Sequence, residues 1–176
     1  GGDADAGSGA CRALALTGRK GHPVTDTLDA GFDTSHCLIG GRWIGAGGGK
    51  TLPVEDPSTG QEIGQIARGG RAEIETAVDA AQQALAGEWG RMPAAERGRL
   101  LAKIGRAVED HVEWLANLEA HDVGKPLSQA RADARALARY LEFYGGAADK
   151  MHGETIPYLN DYTVLTLREP HGVTGH

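Results

Sequence analysis

The chain has 176 residues, 40% of them hydrophobic and 24% charged, which suits one domain or part of a larger one. A formal charge of −6 argues against a nucleic-acid-binding surface, which needs clustered Lys and Arg, and no run reaches the ~18 apolar residues of a membrane span. The two cysteines, Cys11 and Cys37, form neither a disulfide framework nor a CxxC metal pattern.

Residues 1–36 are rich in Gly, Ala, Asp and Thr and lack apolar periodicity, so they read as a disordered leader. A targeting peptide is the weaker reading, because several Asp residues offset Arg12, Arg19 and Lys20. Nothing there joins a basic region to an apolar core, and the expected location is cytoplasmic.

The texture changes at Cys37. Cys37 to Ile39 and Arg42 to Ile44 flank Gly40-Gly41, which predicts a β-hairpin whose turn needs positive φ. Thr51 to Val54 and Glu62 to Ala67 flank Asp56-Pro57-Ser58-Thr59-Gly60 and predict a second antiparallel pair. The intervening Gly45 to Thr51 resembles a phosphate-binding loop. Ile44 stands where that pattern needs a glycine, however, and Leu52-Pro53 follows where it needs a helix. A flexible connection is the better reading.

Gly70 opens a helix whose Ile74, Ala77, Val78, Ala81, Ala84 and Leu85 share one face, and Gly87 stops it. From Ala94, apolar residues recur at steps of three and four: Leu101, Ile104, Val108, Val112, Leu115 and Leu118. They predict one long amphipathic helix, ended by the polar break Asp122-Val123-Gly124-Lys125-Pro126. A third helix is expected from about Leu127 to Met151, with Ala130, Ala134, Leu137, Leu141, Tyr144, Ala148 and Met151 on its packed face. Gly145 and Gly146 weaken it locally by roughly 1 kcal/mol each relative to Ala.

The tail returns to strand. Thr155 to Tyr158 and Tyr162 to Arg168 flank Leu159-Asn160-Asp161, and Thr163, Leu165 and Leu167 alternate with their neighbours. Another strand is expected to begin within 172–176. No G-x-G-x-x-G is present. His111 and His121 lie ten apart and share no helical face, so a surface role and a capping role outweigh metal binding. The residues alone display no reaction centre.

Several separated motifs carry a resemblance in one register. They are Leu38-Ile39-Gly40-Gly41-Arg42-Trp43, Val54 to Gly60, and Trp89 to Leu101. Gly124-Lys125-Pro126, Tyr144 to Lys150, His152-Gly153, Thr155-Ile156-Pro157 and Arg168 to Val173 follow in order. From about Leu38 to Gly175 the chain resembles the start of an aldehyde dehydrogenase. That family oxidises aldehydes to acids with NAD or NADP. A cysteine thiolate attacks the aldehyde, a glutamate activates water, and an asparagine helps hold the oxyanion. The matching positions for all of these would follow His176, so no catalytic or cofactor-binding role transfers to a residue here.

What the resemblance implies is an α/β scaffold, the N-terminal part of the aldehyde dehydrogenase fold. Residues 37–154 would form the first part of a discontinuous dinucleotide-binding domain. Residues 155–169 would form an oligomerisation arm, and 170–176 the start of the first cofactor-binding strand. The 162–168 strand would then join a homodimer or homotetramer. Some members hold a monovalent cation, and Glu55, through its carbonyl, and Asp122, through its carboxylate, align with the ligand positions. The competing role for Asp122 is to cap N–H groups in the Gly-Lys-Pro break. The alternative function is a truncated, non-catalytic protein that associates with full-length subunits.

Overall fold

The computed structural model describes residues 30–176. Residues 1–29 of the expected leader, Cys11 included, lie outside the described residues.

The first hairpin forms as the Gly-Gly turn dictates. Strand β1 (His36–Ile39) pairs antiparallel with β2 (Arg42–Gly45), Ile39 opposite Arg42. Gly40 and Gly41 take φ of 58° and 74°, the left-handed pair that a two-residue turn requires. Strands β3 (Thr51–Asp56) and β4 (Gln61–Ala67) form a second ribbon, with a register shift between Val54 and Glu55.

Residues 30–36, expected to fall in the leader, are instead part of the fold. Phe32 stacks on Trp43 with centroids 5.3 Å apart, and the Thr34 carbonyl accepts the Ala67 N–H at 2.8 Å. His36 opens β1. The composition concealed these contacts because backbone groups and one aromatic make them.

Helix α1 (Arg71–Ala86) begins at Gly70, where Glu73 reaches back. One Glu73 oxygen accepts the Gly70 N–H at 2.6 Å and the other accepts the Gly47 N–H at 3.0 Å. A single carboxylate thus caps the helix and fixes the glycine loop. These bonds, the one from Gly70 foremost, hold its pKa below the ordinary value. The expected apolar face of α1 is only partly covered: Ala77 and Val78 are half-buried, and Ile74 is 61% exposed.

A short helix α2 (Glu88–Arg91) leads to α3 (Ala94–Asp110) and α4 (Val112–Val123). The sequence predicted one helix here; the structure has two. The cause is His111, whose backbone sits at φ −118°, ψ 17°. Its Nδ1–H donates to the Ala107 carbonyl at 2.7 Å, and its backbone N–H turns to Val108 at 3.0 Å. The side chain takes the acceptor that the next α-helical bond would have used.

Helix α5 (Leu127–Ala147) runs back across α3 and α4 and ends in a 3-10 turn, Ala148–Lys150. Its packed face is the expected one only in part, Ala138 and Gly145 joining the expected Ala130 and Ala134. Ala130, Ala134, Ala138 and Gly145 are buried, whereas Tyr144 is 62% and Met151 69% exposed. On α3 the buried residues are Gly98 and Gly105, and on α4 they are Val112 and Ala116. A methyl group added to Gly145 would lie 2.7 Å from the Gly98 carbonyl oxygen, and one on Gly98 would collide with the Gly145 carbonyl. One on Gly105 would lie 3.1 Å from the Ala138 carbonyl. The helices meet backbone to backbone, so the smallest residues mark the interface.

The tail ribbon is shorter than expected. Strand β5 (Thr155–Ile156) pairs with β6 (Val164–Leu165), and Glu154 and Thr166 exchange further bonds beside it. The ladder ends before Pro157. Residues 170–176, expected to open a strand, form neither strand nor helix, because no described segment pairs with them.

The two neighbouring glycines of α5 predict opposite effects. Gly145→Ala should destabilise the fold, the ~1 kcal/mol gain in helix propensity being outweighed by overpacking of about 1–3 kcal/mol. Gly146 has nothing within 4 Å of an added methyl, so Gly146→Ala should stabilise by about 0.5–1 kcal/mol. Urea denaturation of both variants measures this; equal shifts would disprove the close crossing.

Candidate functional site

The feature with the most convergent polar chemistry is the corner between α4 and α5, set against the β3–β4 turn. In that turn Asp56 Oδ1 accepts the Ser58 N–H at 2.7 Å, and the Asp56 carbonyl accepts the Gly60 N–H at 2.7 Å. The bond from Ser58 chiefly holds the Asp56 carboxyl below its ordinary pKa. Gly60, at φ 71°, supplies the left-handed residue that closes the turn.

Helix α4 ends at Gly124, whose φ of 72° makes a left-handed C-cap and whose N–H reaches the Ala120 carbonyl at 2.9 Å. A methyl there would stand 2.7 Å from Pro57 Cγ. Glycine is therefore required both by the turn and by the ribbon against it.

Lys125 follows, with a side chain only 21% exposed. Its Nζ donates to Glu119 Oε1 at 2.6 Å and to Asp133 Oδ2 at 2.8 Å. One ammonium thus ties the last turn of α4 to the second turn of α5. The bonds to Asp133 and then Glu119 raise its pKa above the ordinary lysine value. Arg131 Nε adds a second link, 2.9 Å from both Glu113 oxygens.

Between this corner and the ribbon lies a cleft of about 620 Å³. Val54, Ile63, Leu115, Leu118, Ala134 and Leu137 line it, with Glu119, Asp122 and Asp133 as its acidic members.

The residues aligned with a cation site fall on either side of this contact. Asp122 stands exposed in the last turn of α4 and lines the cleft. Glu55 sits at the register shift of β3, opposite Glu62, exposed and with its carboxylate toward Gly60 rather than into the cleft. The oxygen donors here are carboxylates and carbonyls, which suit a hard cation. Among the described residues no group of three or more His, Cys, Asp or Glu could hold a metal ion. The glycine loop leads through a 3-10 turn (Gly47–Gly49) into β3, without the helix a phosphate site requires.

The sequence reading missed the roles of Lys125, Glu119 and Asp133. Their spacings span the helix break, so no single helical period relates them. It also missed Glu73, which the Gly-x-x-Glu spacing ahead of α1 could have signalled. His121 proves to be bonded to its own helix, Nδ1–H to the Asn117 carbonyl at 2.8 Å.

Comparison with known proteins gives one consistent result. The Aldehyde dehydrogenase family profile matches residues 43–176. The mitochondrial aldehyde dehydrogenase family 2 member B4 of Arabidopsis thaliana is 41% identical over 162 residues, 90% of this chain and 30% of that protein. Human retinal dehydrogenase 2 is 40% identical over 141 residues, 78% of this chain and 27% of that protein. The crystal structure of a putative aldehyde dehydrogenase from Burkholderia cenocepacia superposes with a TM-score of 0.74 at 59% identity, covering 77% of this chain and 28% of that one. An NAD+ complex of aldehyde dehydrogenase from Bacillus cereus gives 0.74 at 36% identity, covering 78% and 28%. The chain thus spans under a third of the length of these two relatives.

Lys125→Met should loosen the α4–α5 corner and lower the thermal midpoint. The raised pKa sets the sign with pH. The stabilisation is complete below about 10.5, the unfolded value, and is lost as pH rises through the higher folded value. Alkaline melting curves should therefore fall more steeply for wild type than for Lys125→Met, and parallel curves would show that the two carboxylates contribute nothing through Lys125.

Proposed function

This chain belongs to the aldehyde dehydrogenase family, and on that premise we propose that it is the N-terminal part of an NAD(P)-dependent enzyme oxidising an aldehyde to a carboxylic acid. The observation that supports this most is the continuous match over residues 43–176, against a span of only 30% of the Arabidopsis relative. We assign the nucleophilic cysteine, the glutamate, the oxyanion asparagine and the groups that bind NAD or NADP to the part of the enzyme not represented in these residues. The role of this chain is then scaffold: it supplies helices α3 to α5 and the ribbon ahead of the dinucleotide site. The free thiol of Cys37 fits the reducing environment of the cytoplasm, the compartment we propose. No helix among the described residues is long and apolar enough to cross a membrane.

The 176-residue chain purified alone should show no NAD or NADP reduction with any of several aldehydes. Turnover that co-purifies with it through successive columns would refute the assignment. The reading frame beyond His176 separates the two functional readings. Continuation into a Pro-Trp-Asn motif and a downstream cysteine supports the enzyme, and a stop codon supports the truncated protein.

A monovalent cation between Glu55 and Asp122 is part of the proposal. Helix α4 aims its C-terminal carbonyls at this corner, where positive charge is favoured by about 0.3–1 kcal/mol. The Glu55 carbonyl and the Asp122 carboxylate would hold the ion. Asp122→Asn in the full-length protein should reduce the dependence of thermal stability on K+ or Na+. If wild type shows no such dependence, Asp122 is a cap and not a ligand.

We further propose that the 162–168 segment reaches a second subunit, as a homodimer or homotetramer. Val164 and Leu165 make a ladder of only two residues with β5, and Leu165 and Leu167 are exposed. A ribbon this short is marginal in water without cover. Leu165→Pro would remove the N–H that faces away from β5, on the outer edge of the ribbon. In the full-length protein it should shift the assembly to smaller species on size-exclusion chromatography; an unchanged oligomer with unchanged stability would exclude this strand from the contact.

A further inference from the structure

We draw no further inference here: the strongest candidate, the apolar cleft between the β3–β4 ribbon and helices α4 and α5, is an unpartnered surface and nothing in the structure shows what covers it.

Discussion

The crossing of α3 and α5 at Gly98 and Gly145 is the constraint on which the helical layer depends. Each glycine lies against the other's carbonyl oxygen, so neither tolerates a methyl group without a shift of the backbone. This sets the separation of the two helices at one end, and Gly105 against Ala138 sets it further along. With α5 held that close, Ala116 of α4 and Ala130 of α5 become fully buried. The core is therefore built of small residues in intimate contact, and no large side chain is fully buried among the described residues. Dispersion between close backbones takes the place of bulky apolar burial.

That choice explains which parts of the fold were legible. Both early ribbons were readable because their turns are encoded locally: Gly40-Gly41 must adopt positive φ, and Asp56 to Gly60 carries its own hydrogen-bonding side chain. The faces of the helices were legible only in part: Val112, Ala130 and Ala134 are buried as expected, whereas Ile104 and Tyr144 are exposed. Periodicity assigns the largest apolar residues to the interior, but a backbone crossing selects the smallest. The stripe on α5 therefore keeps the expected Ala130 and Ala134 but takes Ala138 and Gly145 in place of Leu137 and Tyr144. The break at His111 was hidden for a related reason. Apolar spacing continues across it, while the competition for the Ala107 carbonyl depends on one side-chain nitrogen.

The corner of α4 and α5 shows the same division. Gly124 and Pro126 announce a helix end from sequence alone, and the left-handed C-cap follows from glycine at that place. The ion pairs of Lys125 do not, since Glu119 lies six residues before it and Asp133 eight after, across a change of helix direction. Asp122 and Val54 line the cleft, whereas the Glu55 carboxylate lies toward Gly60.

The outer surface completes the argument about scale. Tyr140, Phe143 and Tyr144 stand exposed on the side of α5 away from its buried stripe, and Leu100 and Ile104 are exposed on α3. Large apolar and aromatic side chains left exposed on both helices are surface that packing within the helical layer does not use. Polar residues would be as compatible with the helices, so the requirement for these side chains is not local. The backbone crossing gives the helices a stable mutual arrangement without using their large apolar residues. Those residues are thereby left available for contacts outside the described segment. Within the proposed enzyme, that division is the physical basis of a scaffold: small residues fix the helices to one another, and large ones remain to carry the next layer.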